Sequence, residues 1–219
     1  NREGTLVNAL LYHTQIEGGN KERPGVVHRL DKNTSGVMVF AKNEEAHAFL
    51  SGEIEKRNVK RTYLALVWGS FVRKRGQIDA PIGRSHSNRK QMTVTRLNSR
   101  EAVTDYKVLH DFKIASLLKV NLHTGRTHQI RVHMNHIEHP VIGDDEYNKN
   151  VLSVVKKVKL DKKRHYDYII KLIERQALHS VALKFRHPCT KEEVEFFAPL
   201  PEDFMRVLNY LWFIEKENK

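Results

Sequence analysis

The sequence predicts an α+β fold, a mostly antiparallel mixed sheet with flanking helices, and three features carry that expectation. Between Gly76 and Leu122 apolar and polar residues alternate with a period of two, in Gln77–Asp79, Met92–Thr95, Val103–Val108 and Leu118–Leu122, with polar turns between them. Tyr63 to Trp68 is apolar at nearly every position, as in a strand covered on both faces. Stretches with helical spacing surround these runs without regular strand–helix–strand alternation.

In chain order, Gly4 to Leu11 reads as a short helix with Thr5 as its cap and Leu6, Leu10 and Leu11 on one face. A soft linker, Glu17-Gly-Gly-Asn20, delivers the stretch Arg23 to Phe40. In it Val26 and Val27 lead into His28-Arg29-Leu30-Asp31, the turn cluster Asn33-Thr34-Ser35-Gly36 follows, and a second apolar run, Val37 to Ala41, begins beyond. Asp31 is therefore expected at a strand edge beside a tight turn. Asn43-Glu-Glu has the pattern of a cap and an acidic first turn, and Ala46, Phe49, Leu50 and Ile54 give that helix the face it lays on the sheet.

Further on, a basic loop from Ile82 to Met92 interrupts the period-two strands. Gly125 supplies a tight turn, and a helix is expected to start near Thr127 with Ile130, Met134 and Ile137 buried. Thr127 and Arg131 would then share one helix face, while Arg126 stays in the loop. Asn148 to Arg164 is lysine-rich, without Gly or Pro, and reads as a basic insertion (148–164). Tyr166 to Ile173 has an amphipathic helical pattern and Val194 to Phe197 that of a last strand. Pro199-Leu-Pro-Glu-Asp203 opens a closing helix whose Phe204, Val207, Leu208, Leu211 and Trp212 form a core stripe.

Composition narrows the function. The 219 residues, 40% hydrophobic, suffice for one domain with a real core. A formal net charge of +12 and a pI near 9.7, spread along the chain, call for a polyanionic partner, nucleic acid rather than membrane. No apolar run approaches a bilayer span and no signal-peptide pattern opens the chain. The single cysteine, Cys189, excludes an internal disulfide and a thiolate metal cluster and fits a reducing cytoplasmic setting. His123, His128, His133, His136 and His139 lack metal-site spacing and are expected to be solvated or RNA-facing. The chain opens at Asn1 without Met inside what reads as a working domain, so an upstream segment is expected.

Asp31 is the candidate reactive group. Arg29 and Lys32 beside it favour its ionised form, as a nucleophile or base would need; an Asp that caps its own turn through the Asn33 or Thr34 amide has the same local sequence. His28-Arg-Leu-Asp-Lys-Asn-Thr-Ser-Gly36 resembles the signature of the RluA/RluD-type pseudouridine synthases, in which that Asp is catalytic. The family's other blocks follow in order. Lys60-Arg-Thr-Tyr-Leu-Ala65 places Tyr63 where the resemblance implies a residue that stacks on the target base and assists proton removal. Pro81-Ile-Gly-Arg84 to Met92 implies RNA contacts from Arg84, Arg89 and Lys90. His123-Thr-Gly-Arg-Thr-His-Gln-Ile-Arg-Val-His133 implies that Arg131 pairs with Asp31 and that Arg126, Thr127 and His128 face RNA. Gly143-Asp-Asp-Glu-Tyr147 matches a further turn, and Arg175-Gln-Ala-Leu-His-Ser180 places Leu178 near the base.

The resemblance covers nearly the whole chain and implies a single pseudouridine-synthase-like catalytic domain over 1–219, lacking its N-terminal strands and any S4-like domain. It implies an isomerase needing no cofactor or metal, acting as a monomer on structured RNA, with rRNA of the large subunit the leading target and tRNA the alternative. The nucleotide must leave its stack to react, and Arg29, with His28 alongside, is the expected wedge. A base-releasing glycosidase would need a second carboxylate, and the motif blocks supply cations instead. A non-catalytic RNA-binding module would not need Asp31, Tyr63 and Arg131 together.

Overall fold

The computed structural model describes residues 6–13, 16, 19–20, 23–85, 88–89, 91–148 and 161–217. The Thr5 cap, Lys90 and the stretch 149–160 of the basic insertion lie outside them. The described elements are α1 (Leu6–His13), β1 (Gly19–Asn20), β2 (Arg23–Pro24), β3 (Ser35–Gly36), α2 (Glu44–Glu55), β4 (Lys60–Trp68), β5 (Arg75–Asp79), β6 (Ile82–Arg84), β7 (Met92–Val94), β8 (Ser99–Arg100), β9 (Val103–Asp111), β10 (Ala115–Leu122), α3 (Gln129–His136), α4 (Asp161–Leu172), β11 (Leu178–Arg186), β12 (Glu193–Phe197) and α5 (Glu202–Glu217).

A seven-stranded sheet runs β12-β11-β4-β10-β9-β5, with β3 added to β11 as its parallel member. The remaining pairs are antiparallel. This is the α+β architecture the sequence predicts. β4 sits at the centre, and because Ala65, Leu66, Val67 and Trp68 are all nearly inaccessible, both of its faces are covered. The main core gathers these with Ile130 and Met134 of α3, Ile169 of α4 and Phe204, Val207, Leu211 and Ile214 of α5. A smaller core seats Leu50 of α2 on Leu183 and Phe185 of β11. The predicted cap of α2 is present: the Asn43 side chain accepts from the Ala46 amide at 2.9 Å, and Glu44 and Glu45 complement the helix dipole. β7, β6 and β8 form a separate small sheet that carries the basic loop.

Several expectations are corrected. Val37 to Ala41 does not form a strand beyond a single bridge between Val26 and Phe40. Its amides are satisfied otherwise: Val37 donates to the Ser180 carbonyl, Val39 to His28 Nε2 and Ala41 to the Gly25 carbonyl. Asp31 accordingly lies in an irregular segment entering a turn, not on a strand. α3 begins at Gln129, so Thr127 is in the preceding turn and shares no helix face with Arg131; His128, at φ 56°, holds the chain out of the helix. α4 starts at Asp161, five residues before the amphipathic pattern becomes visible. Trp212 is 39% exposed and rests against His110 and Phe112 instead of joining the core. His133 is buried, bonded to Thr104 Oγ1 and the Ala80 carbonyl, so it does not face solvent, while His139 is half-buried, stacked on Phe71 and bonded to the Trp68 carbonyl.

Candidate active site

A concave pocket of about 430 Å³ opens where the turn after Leu30, the start of β4, the start of β11 and the loop between β10 and α3 converge. Asp31, Tyr63, Arg61, His28, Arg126 and Leu178 are among its lining residues. Four segments far apart in sequence thus deliver one site.

The Asp31 turn is fixed from beneath by the block after α4. The Thr34 amide donates to the Asp31 backbone carbonyl at 3.0 Å, leaving the carboxylate unused by its own turn. Gln176 donates to the Lys32 carbonyl at 2.7 Å and to Thr34 Oγ1 at 3.0 Å, while Arg175 donates to the Asn33 carbonyl through Nη1 at 3.0 Å and holds Asp203 of α5 through Nε and Nη2 at 2.6 and 2.8 Å. Ser35 then pairs with His179 Nδ1. The run Arg175 to Ser180 is therefore a mould for the Asp31 turn, a role its sequence pattern does not reveal.

Arg131 approaches Asp31 from α3, with Nη1 4.0 Å from Oδ2. Its stronger partner is Asp144, which takes Nε at 2.6 Å and Nη2 at 2.9 Å; Nη2 also reaches Glu146 at 3.1 Å. Asp144 is inaccessible and further accepts from the Glu146 and Tyr147 amides. Burial opposes the Arg131 charge, but the Asp144 hydrogen bonds and the Asp144, Asp31 and Glu146 carboxylates win, so its pKa lies above the ordinary arginine value. The Tyr147 ring lies 4.9 Å from the guanidinium. Asp144 and Glu146 went unassigned at the sequence level, although a carboxylate beside a turn glycine, at Gly143-Asp144, was a usable signal.

Tyr63 is 5% exposed, and burial pushes its phenol up, with the Arg61 charge opposing, the Asp31 charge acting in the same direction as burial and the nearby Ser180 hydroxyl opposing. The hydroxyl is thus protonated at neutral pH. Arg61, two residues earlier on β4, belongs to the same face of the strand. Burial lowers its pKa, and its Nε is buried without a partner. His28 is lowered to about 4 by burial and by Arg61; Nε2 accepts from the Val39 amide at 3.1 Å, so the ring is neutral and structurally committed.

The loop ahead of α3 is tied down by Gln129, whose Oε1 accepts from Thr124 Oγ1 and the Arg126 amide while Nε2 donates to the Val103 carbonyl and Thr104 Oγ1. Arg126 lines the pocket and donates to the Glu101 carbonyl at 2.8 Å. Gly125 is needed for space rather than for a turn: a Cβ there would lie 2.7 Å from Arg61 Nη1. Arg29 and Thr127 are exposed and both line the pocket. His128 lies outside the pocket lining and pairs with the Tyr147 hydroxyl at 2.8 Å. Arg84 and Arg89 are exposed on the small sheet's hairpin, away from the pocket lining, with Arg84 donating to the Arg89 carbonyl. No group of three or more His, Cys, Asp or Glu side chains suited to a metal occurs among the described residues.

Residues 4–136 fit the family described as RNA pseudouridylate synthase. The chain belongs to that family. It is 44% identical over 210 residues to the RNA pseudouridine synthase YlyB of Bacillus subtilis, covering 95% of this chain and 63% of the relative. It is 40% identical over 209 residues to ribosomal large subunit pseudouridine synthase D of Vibrio parahaemolyticus, covering 95% of this chain and 62% of the relative. The chain therefore spans just under two thirds of the length of these relatives. Among solved structures, human RNA pseudouridylate synthase domain containing 4 superposes with a TM-score of 0.65 at 28% identity, over 89% of this chain and 78% of that one. Human RNA pseudouridylate synthase domain containing 1 gives 0.62 at 29% identity, over 80% and 68%. No helix among the described residues is long and apolar enough to cross a membrane.

Proposed function

We propose that this chain isomerises uridine to pseudouridine in RNA, with large-subunit ribosomal RNA as substrate and Asp31 as the catalytic carboxylate. The observation that carries the reading is the Asp31 carboxylate itself. It is unused by its turn, one-fifth exposed, faces a pocket shared with Tyr63, and is backed by a guanidinium already anchored to another carboxylate. Relatives named for the large ribosomal subunit support the choice of RNA.

The reaction breaks the bond from C1′ to N1, turns the uracil in place, joins C1′ to C5, moves a proton off C5 and returns one to N1. The target nucleotide must first leave its stack, at a cost of a few kcal/mol. Arg29 at the rim fills the vacated position, and the exposed Arg57 and partly buried Arg126 meet the backbone phosphates. Inside, Asp31 acts on the sugar, as nucleophile at C1′ or as base at C2′. Arg131 keeps it ionised and aimed. The Tyr63 ring supports the detached uracil, with its protonated hydroxyl near the C5 proton, and Leu178 closes the apolar wall.

Tritium release from RNA labelled at uridine C5 tests this, with large-subunit rRNA and bulk tRNA compared for the wild type and Asp31→Asn. Release from rRNA by the wild type and none by the variant is expected. Release from tRNA alone would reassign the substrate, and equal release by Asp31→Asn would remove Asp31 from the chemistry.

A further inference from the structure

Arg61 differs from the other arginines around the site. Arg131 and Arg175 each hold a carboxylate with two nitrogens, Arg57 is paired with Glu101, and Arg126 donates to a carbonyl. The Arg61 side chain has no hydrogen bond or ion pair among the described residues, and its Nε is buried without a partner. Part of the guanidinium is thus cut off from water while the side chain, partly exposed in the pocket lining, has no counter-charge, an unfavourable state for a cation. The fold nevertheless makes room for it, because Nη1 occupies the space a Cβ of residue 125 would need. An unpaired cation held in a socket inside a substrate pocket is complementary to an anion that arrives with the substrate.

We infer that Arg61 is the phosphate-binding group of the pocket, gripping the phosphate of the same nucleotide whose base lies against Tyr63. The inference rests on the reading of this pocket as the site of uridine isomerisation. Arg61 and Tyr63 are two residues apart on β4, on the order of 7 Å along the strand, comparable to the separation of a nucleobase from its own phosphate. The planar fork of the guanidinium suits two phosphate oxygens at once. Placed there, Arg61 fixes the flipped nucleotide at one end while Asp31 acts at the sugar between the two contacts. The neighbouring His28 is neutral and bonded to Val39, so it does not compete for the anion.

The test measures kcat and KM for tritium release from large-subunit rRNA, and the salt dependence of binding to the same RNA, for the wild type, Arg61→Met, Arg61→Lys, Gly125→Ala and Asp31→Asn. Loss of one phosphate contact raises KM and Kd about ten- to a hundredfold and lowers the salt slope by about 1, with kcat within a few fold. Arg61→Lys recovers part of the affinity, and Gly125→Ala, which pushes the guanidinium from its socket without removing the charge, weakens binding in the same direction. These two variants carry the test if Arg61→Met fails to fold by thermal melting. A loss confined to kcat with an unchanged salt slope would place Arg61 on the uracil and overturn the phosphate assignment, as would wild-type behaviour on both counts. If the wild type released no tritium from any RNA, the isomerase reading would fall, while the salt slopes would still decide whether Arg61 binds phosphate.

Discussion

Arg131 grips Asp144 through Nε and Nη2 at 2.6 and 2.9 Å and reaches Asp31 only through Nη1, at 4.0 Å. The guanidinium is therefore a bracket: one edge is locked in the interior, and the free edge presents positive charge to the Asp31 carboxylate. Removing the lock leaves a buried cation uncompensated. Asp144→Ala is expected to cost about 3–5 kcal/mol in urea denaturation and to lower tritium release as Arg131 loses its aim. Asp31→Asn should change stability by less than about 1 kcal/mol, since its pair is long and partly solvated. An unaltered unfolding midpoint for Asp144→Ala would show that Arg131 is held by something else.

Tyr63 keeps its proton at neutral pH because burial outweighs the nearby Arg61 charge. Tyr63→Phe preserves the ring in the pocket wall and removes only the hydroxyl. We expect kcat to fall about a hundredfold or more, the range for loss of one positioned proton-transfer group, with KM little changed. A wild-type kcat would reduce Tyr63 to a stacking surface.

Gly36 pairs with Ser180 in the parallel β3–β11 contact at φ +125°, and a Cβ would meet the Ser180 carbonyl oxygen at 2.2 Å. No side chain is tolerated where backbone meets backbone. Gly36→Ala should cost at least about 3 kcal/mol and shift the Asp31 turn, abolishing activity. Gly52→Ala is the contrast: in the interior of α2, with nothing within 4 Å, it should stabilise by about 1 kcal/mol. Equal midpoints for the two variants would contradict this account.

Periodicity made the sheet legible because β4, β9 and β10 are long enough for their patterns to repeat, and Asn43 announced α2 through its cap. Asp31, Tyr63 and Leu178 line one pocket; Asp31 is signalled by the cations beside its turn, whereas Tyr63 and Leu178 are pointed to only by the resemblance of their blocks to a known family. What stayed hidden depends on distance in the chain. The Asp144 anchor is 13 residues from Arg131, and Gln176 braces a turn 142 residues away. Neither relationship leaves a local pattern. The start of α3 was misplaced because Gln129 bonds back to Thr124 and Arg126, a side-chain network that overrides the helical spacing of the apolar residues. His133 looked like a surface residue by type, yet the Thr104 and Ala80 partners that allow its burial come from other strands.

His28 links the site to the pH range over which the fold survives. Its ordinary pKa of 6.5 is lowered to about 4, first by burial and then by Arg61, so between those values the unfolded chain takes up a proton that the folded chain refuses. Stability from this group is complete above pH 6.5 and is lost as pH falls toward 4, in total on the order of 3 kcal/mol. His133, His139 and His179 are lowered by burial as well and act in the same direction, so the acid loss of the whole chain is larger than the His28 share. His28→Gln isolates that share, since it keeps an acceptor for the Val39 amide and removes the titration. Urea titrations at pH 7 and 4.5 should show the variant losing about 2 kcal/mol less than the wild type between the two conditions. An equal loss in both proteins would mean that His28 is already charged in the folded state, with its Nε2 proton displacing the Val39 bond that now holds the segment before the pocket.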